Sequence, residues 1–433
     1  MTLYIDPGTG SMLFTILLGV IGAGIYSLRM LFIKIKFMIS GGKADVDQNK
    51  IPFVIYSDDK RYWNVFEPVC KEMNKRGKDI VYLTSSQDDP VFDSGYEHVK
   101  VKFIGEDNKA FAHLNFLNAT ILLSTTPGLD VYQWKKSKGV DCYIHMFHAP
   151  NDVTLYRMFG IDYYDSILVS GAYQEKDIRA LEAMRNLPAK DIHTIGIPYM
   201  DVMAERLQFV TDHDVAEGKW SVTDHDATDG KQPAASKKSR IVLLAPSWGP
   251  SAIFSVYGGK IIEKLLSTGY HVIVRPHPQS FKSEKDMLDK LMTEFPESDQ
   301  LEWNRDNDNF EVLRRSDILI SDFSGVIFDF ALIYDKPVIY TDPKFDLSPY
   351  DAWWMETPLW TLSALPRLGK ELTEENMDHI SDLIDACLND PSYETSRQSV
   401  KAETWEYMGQ GAERTVDYLL RKYEEVVNGK KER

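Results

Sequence analysis

Positive charge is the first thing in short supply. Across 433 residues, 49 lysines and arginines stand against 65 aspartates and glutamates, a formal net charge of −16. Phosphate backbones demand a basic surface, so this balance excludes a general nucleic-acid binder. Any anionic ligand must be held by local cations and backbone N–H dipoles. Cysteine is scarce as well: Cys70, Cys142 and Cys387 are odd in number, far apart and outside any metal-ligand spacing. They fit a reducing compartment with no structural disulfide. Long uncharged apolar runs are missing too, with one exception near the start.

That exception is SMLFTILLGVIGAGIYSLRMLFIKIKF. Met12 to Ser27 carries no charge, and Leu28 to Phe37 alternates apolar residues with Arg29, Lys34 and Lys36. Arg29 can snorkel and bring the span to about 20 residues, enough for one transmembrane helix within residues 1–40. Arg29, Lys34, Lys36 and Lys43 follow the run and none precedes it, which predicts that the chain beyond it faces the cytoplasm. The same order, with no small-residue cleavage site, disfavours a secretory leader. An amphipathic or buried N-terminal helix is the other reading. Gly19, Gly22 and Gly24 follow no strand, so they are not read as a dinucleotide loop.

The length predicts two or three domains, and 43% hydrophobic residues suffice for substantial cores. From IPFVIYSDD onward, short β-rich runs alternate with helical spacing. Tyr62–Arg76 reads as a helix, DIVYLTSS and VKFIG as strands, and the run from Val140 to Phe147 as a buried strand ending at His148-Ala149-Pro150. SILVS and a helix over Tyr173–Asn186 follow. The pattern predicts a doubly wound α/β domain over 50–205. Residues 206–240 are polar and repeat VTDHD, and are expected to form a flexible linker. Its Asp and His residues invite a metal reading, but no apolar periodicity holds them in place. RIVLLAPSWGP, YHVIVRPHPQS and SDILISDFSGVIFDFALIYDKPVIY then predict a second α/β domain over 241–390. Charged helices over 391–433 close the chain. The tryptophans within Leu347–Pro366 are expected to cover the sheet or pack against the first domain.

In the last of those motifs, Ile318–Ile320 is a strand, Ser321–Gly325 a turn, and Val326–Tyr334 a helix, before Asp335-Lys336-Pro337 breaks the chain. Parallel sheets bind ligands beyond the carboxyl ends of their strands. Taken alone, Ser324 reads first as an N-cap and Gly325 as a turn residue. Three such turns share one edge, however: Pro246-Ser247, Arg275-Pro276-His277-Pro278 and Asp322-Phe323-Ser324-Gly325. Arg275 offers a donor fork suited to phosphate oxygens. His277 can donate to phosphate or protonate a leaving oxygen, and Asp322 is placed to orient a histidine. Together they predict a diphosphate cradle. His148, at a strand end of the first domain, is either satisfied structure or a general base. Asp329, within the helix, is expected to cap or pair locally.

RIVLLAPSW, VIVRPHP, the long SDILISDFSGVIFDFALIYDKPVIY, YDSILVSGAY and GIPYMD together resemble the CDP-glycerol glycerophosphotransferases that build teichoic-acid-type polymers. The resemblance covers much of residues 140–345. It implies a glycosyltransferase-B-like fold of two Rossmann-type domains facing a cleft. It implies transfer of an alditol phosphate from CDP-glycerol or CDP-ribitol to a hydroxyl of a lipid-linked or membrane-bound glycan, with release of CMP. His148 then matches the family's base by position, and Arg275, His277, Ser324 and Gly325 match its donor-pyrophosphate site. His148 is followed by Ala149-Pro150, where the family shows Gly-Thr. The implied place is a bacterial cell membrane, single-pass, with the catalytic part in the cytoplasm. A nucleotide-sugar glycosyltransferase or epimerase of the same fold, and a non-catalytic scaffold for polymer export, are the alternatives. Metal dependence has no sequence signature.

Overall fold

The computed structural model describes residues 50–216, 240–306, 308–341 and 346–431. The expected N-terminal span and most of the polar linker, including the second VTDHD, lie outside the described residues. Among the described residues, no helix is long and apolar enough to cross a membrane.

Both sheets belong to one compact unit, Ile51–Arg433. The first comprises β1 (Ile51–Ser57), β2 (Ile80–Thr84), β3 (Val99–Phe103), β4 (Asn118–Ser124), β5 (Gly139–Met146), β6 (Ser166–Val169) and β7 (Asp191–Thr194). They run parallel in the order β3-β2-β1-β4-β5-β6-β7. The second sheet comprises β8 (Ile241–Leu244), β9 (His271–Val274), β10 (Leu301–Trp303), β11 (Ile318–Ser321), β12 (Val338–Tyr340) and β13 (Gly369–Glu371), ordered β10-β9-β8-β11-β12-β13. It too is wholly parallel. Both orders reverse once, between β1 and β4 and between β8 and β11, which gives each sheet a crevice at that point.

Parallel strands covered on both faces are apolar at successive positions rather than alternate ones. Phe53 and Ile55 of β1 enter one core while Val54 and Tyr56 enter the other. In β11, Leu319 joins one core and Ile318 and Ile320 the other. Each such side chain contributes roughly 1.5–3 kcal/mol by leaving water. The three cysteines are free and buried.

Two helices cross between the sheets. Pro198–Ala216 follows β7, yet its Met200 and Met203 pack with Leu243 and Leu319 of the second sheet. The linker expected from 206 therefore begins as helix. Leu207 and Val210 lie one and two turns after Met203 and also pack on that core, which outweighs the polar composition. In return, Gly411–Lys431 comes back to the first sheet, where Val416, Tyr418 and Leu419 join Phe53, Ile55 and Ile121.

A buried carboxylate ties the halves together beside the cleft. The helix Trp360–Leu368 has no cap from its own neighbours. Asp152, four residues after His148 and wholly buried, accepts hydrogen bonds from the Trp360 and Thr361 N–H groups at 2.5 and 3.1 Å, and from the Thr361 hydroxyl. Asp152→Ala removes that cap and leaves buried donors unpaired. It is expected to lower stability by about 2 kcal/mol, read as a shifted urea midpoint at unchanged slope. Trp360 stacks on Phe328 and packs on Tyr173 of the first half, as expected of this aromatic stretch. Trp354, 53% exposed, also reaches the first half, its Nε1–H donating to Met158 Sδ at 3.4 Å, whereas Trp353 remains 59% exposed.

Candidate active site

The chain places its polar turns at the carboxyl edges of both sheets. In the second sheet, β8 and β11 separate at the order reversal, and Asp322 bridges the gap. Its carboxylate, wholly buried, accepts from the Ser247 N–H at 3.0 Å, the Ile253 N–H at 3.1 Å and the Phe323 N–H at 2.8 Å. Burial pushes its pKa up to about 6, while those N–H groups favour the charge. Asp322 therefore does not orient a histidine. It fixes the Pro246-Ser247 turn to the Phe323-Ser324-Gly325 turn, and all its oxygens face the backbone.

The next turn keeps open polar groups. Ser324 Oγ lies 3.5 Å from the Val326 N–H, a weak cap, and no acceptor among the described residues reaches the N–H of Ser324 or Gly325. Gly325 is exposed, and a Cβ built there would meet nothing within 4 Å. The space beside Gly325 is therefore open. The helix expected over Val326–Tyr334 is an α-turn, Val326–Phe328, continued by a π-turn, Asp329–Ile333. The wider turn lets Phe330, Ala331, Leu332 and Ile333 all be buried, and π-turns recur at functional sites.

Asp329 sits at the start of that π-turn without the local pairing expected of it. No hydrogen bond or ion pair reaches its carboxylate among the described residues, and burial alone pushes its pKa up to about 7. A carboxyl raised in this way favours the folded state below its unfolded pKa of about 4, and that contribution is lost as pH rises through 7. Asp329→Asn is expected to stabilise the protein at pH 8 by about 2 kcal/mol, allowing for partial exposure, and to be near neutral at pH 4. Melting at the two pH values checks this.

The β9 turn presents Arg275 and His277. Arg275 reaches Asn304 at the end of β10 with one guanidinium nitrogen, and Asn304 donates to Asp306 at 2.9 Å. Half-burial lowers the Arg275 pKa, opposed by Asp306 and Asp308. One end of its fork is thus spent on the sheet edge, and no hydrogen-bond partner meets the other among the described residues. His277 Nδ1 accepts the Gln279 N–H at 3.1 Å, so in the neutral ring the proton sits on Nε2, the donor end. Burial lowers its pKa, Arg61 across the cleft lowers it further, and Glu284 opposes.

On the facing edge, His148 follows β5. Its Nδ1 lies 2.6 Å from Thr125 Oγ1 at the end of β4, and its ring meets Tyr62 edge-on at 5.1 Å. Burial brings its pKa down to about 4, so the ring is neutral at physiological pH. His145 is inside β5, buried, with Nε2 3.3 Å from the Tyr156 hydroxyl. A cavity of about 210 Å³ joins the two edges, lined by Pro150 and Asn151 beside His148 and by Phe323 and Gly325 beside Ser324. The sequence-predicted residues thus fall on two facing edges.

Sequence reasoning missed Arg61, Asn304 and Thr125. Arg61 donates to Asp59 at 2.9 Å and its charge reaches His277, so a first-half cation serves the second-half cradle. The signal was the polar Ser57-Asp58-Asp59 directly after the apolar β1. Among the described residues, no three His, Cys, Asp or Glu side chains converge in a metal-holding group.

No curated protein matches the chain. Among solved structures, the wall teichoic acid polymerase TagF is similar at 14% identity and TM-score 0.57, covering 93% of this chain and 98% of that one. A putative UDP-N-acetylglucosamine 2-epimerase from Listeria monocytogenes is similar at 13% identity and TM-score 0.52, over 87% of this chain and 97% of that one. The UDP-GlcNAc 2-epimerase from Neisseria meningitidis, bound to UDP-GlcNAc, gives 12% and 0.51, over 86% and 100%. These likenesses show the glycosyltransferase-B-like fold of two facing parallel sheets. The family model for CDP-glycerol:poly(glycerophosphate) glycerophosphotransferase matches residues 161–421, from the segment before β6 into the C-terminal helix. That span contains Ser247, Arg275, His277, Asp322, Ser324 and Gly325, while His148 precedes it. On this match, over more than half its length, the chain belongs to the CDP-glycerol:poly(glycerophosphate) glycerophosphotransferase family.

Proposed function

We propose that this enzyme moves glycerol phosphate, or another alditol phosphate, from a CDP-activated donor to a hydroxyl of a lipid-linked or membrane-bound glycan. The observation that carries the reading is the shared cavity. Its walls come from Pro150 and Asn151, just after His148, and from Phe323 and Gly325, so it opens between the edge that carries that histidine and the turn whose N–H groups are unpartnered.

In the tautomer whose Nδ1–H donates to Thr125 Oγ1, His148 keeps the Nε2 lone pair for the acceptor hydroxyl proton. The acceptor oxygen attacks the phosphorus that bears the alditol. The bond from that phosphorus to the bridging oxygen breaks, and CMP leaves with the electron pair. The N–H groups of Ser324 and Gly325, the free end of Arg275 and His277 Nε2–H spread the charge on the transferring and leaving phosphates. Pro246 and Ser247, fixed by Asp322, form the opposite wall of the donor crevice.

The apolar stretch Met12–Phe37, followed by its cations, supports a single-pass anchor with the catalytic part in the cytoplasm, where it meets a lipid-borne acceptor. Membrane fractionation before and after removal of residues 1–40 tests it. Loss of the protein from the membrane fraction is expected, and its retention there contradicts the anchor. The fold shared with UDP-GlcNAc 2-epimerases favours nucleotide-sugar chemistry as the second reading. Assays with CDP-glycerol, CDP-ribitol and a panel of UDP- and GDP-sugars separate the two. CMP from a CDP-alditol supports phosphotransfer, and turnover of sugar nucleotides alone contradicts it.

A further inference from the structure

The exposed aromatic side chains are not spread evenly. Of ten among the described residues, six gather on one layer: Phe116, Tyr132, Phe159, Tyr163, Trp353 and Trp354, each 43–62% exposed. The layer covers the face of the first sheet that holds Val54 and Tyr56, and Leu114, Leu129 and Ile161 of the same segments turn inward to that core. Hydrogen bonds tie its parts together. Asn115, beside Phe116, donates to the Gln133 carbonyl at 3.1 Å and accepts from the Lys135 N–H at 2.7 Å. Lys136 Nζ donates to the Tyr163 carbonyl at 2.9 Å. The segment bearing Trp353 and Trp354 joins through Asp351, which accepts from the Phe159 N–H at 2.9 Å, and through the Trp354 contact with Met158.

Charge here runs against the rest of the molecule. Asp165 is paired with Lys136 at 3.0 Å, and Asp162 and Asp351 are both paired with Arg185. This leaves the exposed Lys135, Lys138 and Arg157 beside the aromatics, against the exposed Glu356, in a chain of net charge −16. The layer also reaches the cavity. Arg157 forms an antiparallel bridge with Tyr350, and Tyr350 and Leu155 line the cavity between the two edges.

We infer that this face docks on an anionic bilayer surface, with its aromatic rings at the level of the headgroups and its three cations on lipid phosphates. A contiguous exposed aromatic patch marks an interaction surface. Tryptophan and tyrosine favour the membrane–water interface, and lysine and arginine are drawn to anionic lipid. The sign of the charge selects lipid over a second copy of the chain, because two such faces would oppose the same three cations. It also orients the enzyme, since anionic lipid repels the acidic remainder of the surface. The described chain begins on the same side. Ile51 pairs with Ala119 and Asn118 pairs with Gly139, so β1 starts near Phe116 and Lys138. Only residues 38–50 separate that start in sequence from the apolar run ending at Phe37. The inference rests on the proposed membrane placement and adds a second contact, one that holds the cavity close to the lipid.

The test uses full-length protein with vesicles of phosphatidylcholine and phosphatidylglycerol whose acyl chains carry bromine, a quencher of tryptophan fluorescence. Residues 1–40 contain no tryptophan, so the apolar run itself gives no signal. The wild type is expected to float with the vesicles and to be quenched. Trp353→Phe/Trp354→Phe, which keeps the rings apolar, is expected to float equally and to lose most of the quenching. Lys135→Glu/Lys138→Glu/Arg157→Glu is expected to cut the quenching about threefold or more, because each cation near the surface contributes to the attraction. Unchanged denaturant midpoints show that both variants fold. Protein that floats with unquenched tryptophans overturns the inference and leaves the anchor standing. Quenching that is equal in wild type and the double phenylalanine variant also overturns it. So does a dimer in solution that the charge-reversed variant abolishes, since the face then meets a second copy. Quenching at neutral pH in protein that alkaline carbonate strips from the vesicles supports the docking and tells against the anchor.

Discussion

His148→Ala is expected to cut acceptor-dependent CMP release by on the order of 10³, with donor affinity retained. General-base removal typically forfeits about 10²–10⁴. The size follows from the environment: among the described residues no other imidazole on the first edge is open, since His145 is enclosed in β5 against Tyr156. Donor binding survives because the groups proposed to hold it lie on the opposite edge. The pH dependence carries a sign. Burial lowers the His148 pKa to about 4, so the base form persists from neutral pH downward and is lost only as pH falls through that value. The limb of kcat/KM assigned to this group should therefore fall near pH 4 rather than near 6.5. A fall centred near 6.5 contradicts a buried base. Equal loss of donor binding in the alanine variant contradicts the division of labour between the edges.

Asp322→Ala is expected to have the second-largest effect, on stability and donor binding together. The N–H groups of Ser247, Ile253 and Phe323 would each lose their acceptor in a buried place. Each orphaned group costs about 1–3 kcal/mol, so a loss of about 4 kcal/mol is expected. The same change releases the β8 turn from the β11 turn, and donor KM should rise more than 10-fold. Asp322→Asn should recover part of the stability but little of the binding. It keeps one oxygen and turns an N–H₂ toward backbone N–H groups. Denaturant midpoints and donor titration measure the two effects separately. Full donor affinity in either variant contradicts the assigned role.

These two residues also show how far the sequence could be read. The strand runs IPFVIYS, ILIS and HVIV are bounded by turns and apolar at most successive positions, so both parallel sheets were legible, as was the edge on which the turns fall. His148 was legible as a strand-end histidine. Its partner Thr125 was not, because that contact spans two strands paired only in space. Asp322 was legible as polar and at the right edge, but its bonds to Ser247 and Ile253 depend on which strands adjoin at the reversal. Helix 198–216 was hidden for another reason. Its exposed face is so polar that composition masked the 203, 207, 210 stripe. β10 and β13 are three residues each and too short for periodicity. Asp152 could not be foreseen as a cap, since the helix it caps begins 208 residues later.

The most direct test of phosphotransfer follows the donor phosphorus itself. Full-length protein in detergent is mixed with CDP-glycerol labelled in the phosphate that bears the glycerol, together with native lipid extract. The account predicts that label enters the lipid fraction in step with CMP release, and that both vanish in His148→Ala. Glycerol arriving in the lipid without the labelled phosphate, or CMP released with the label left in water, would contradict it.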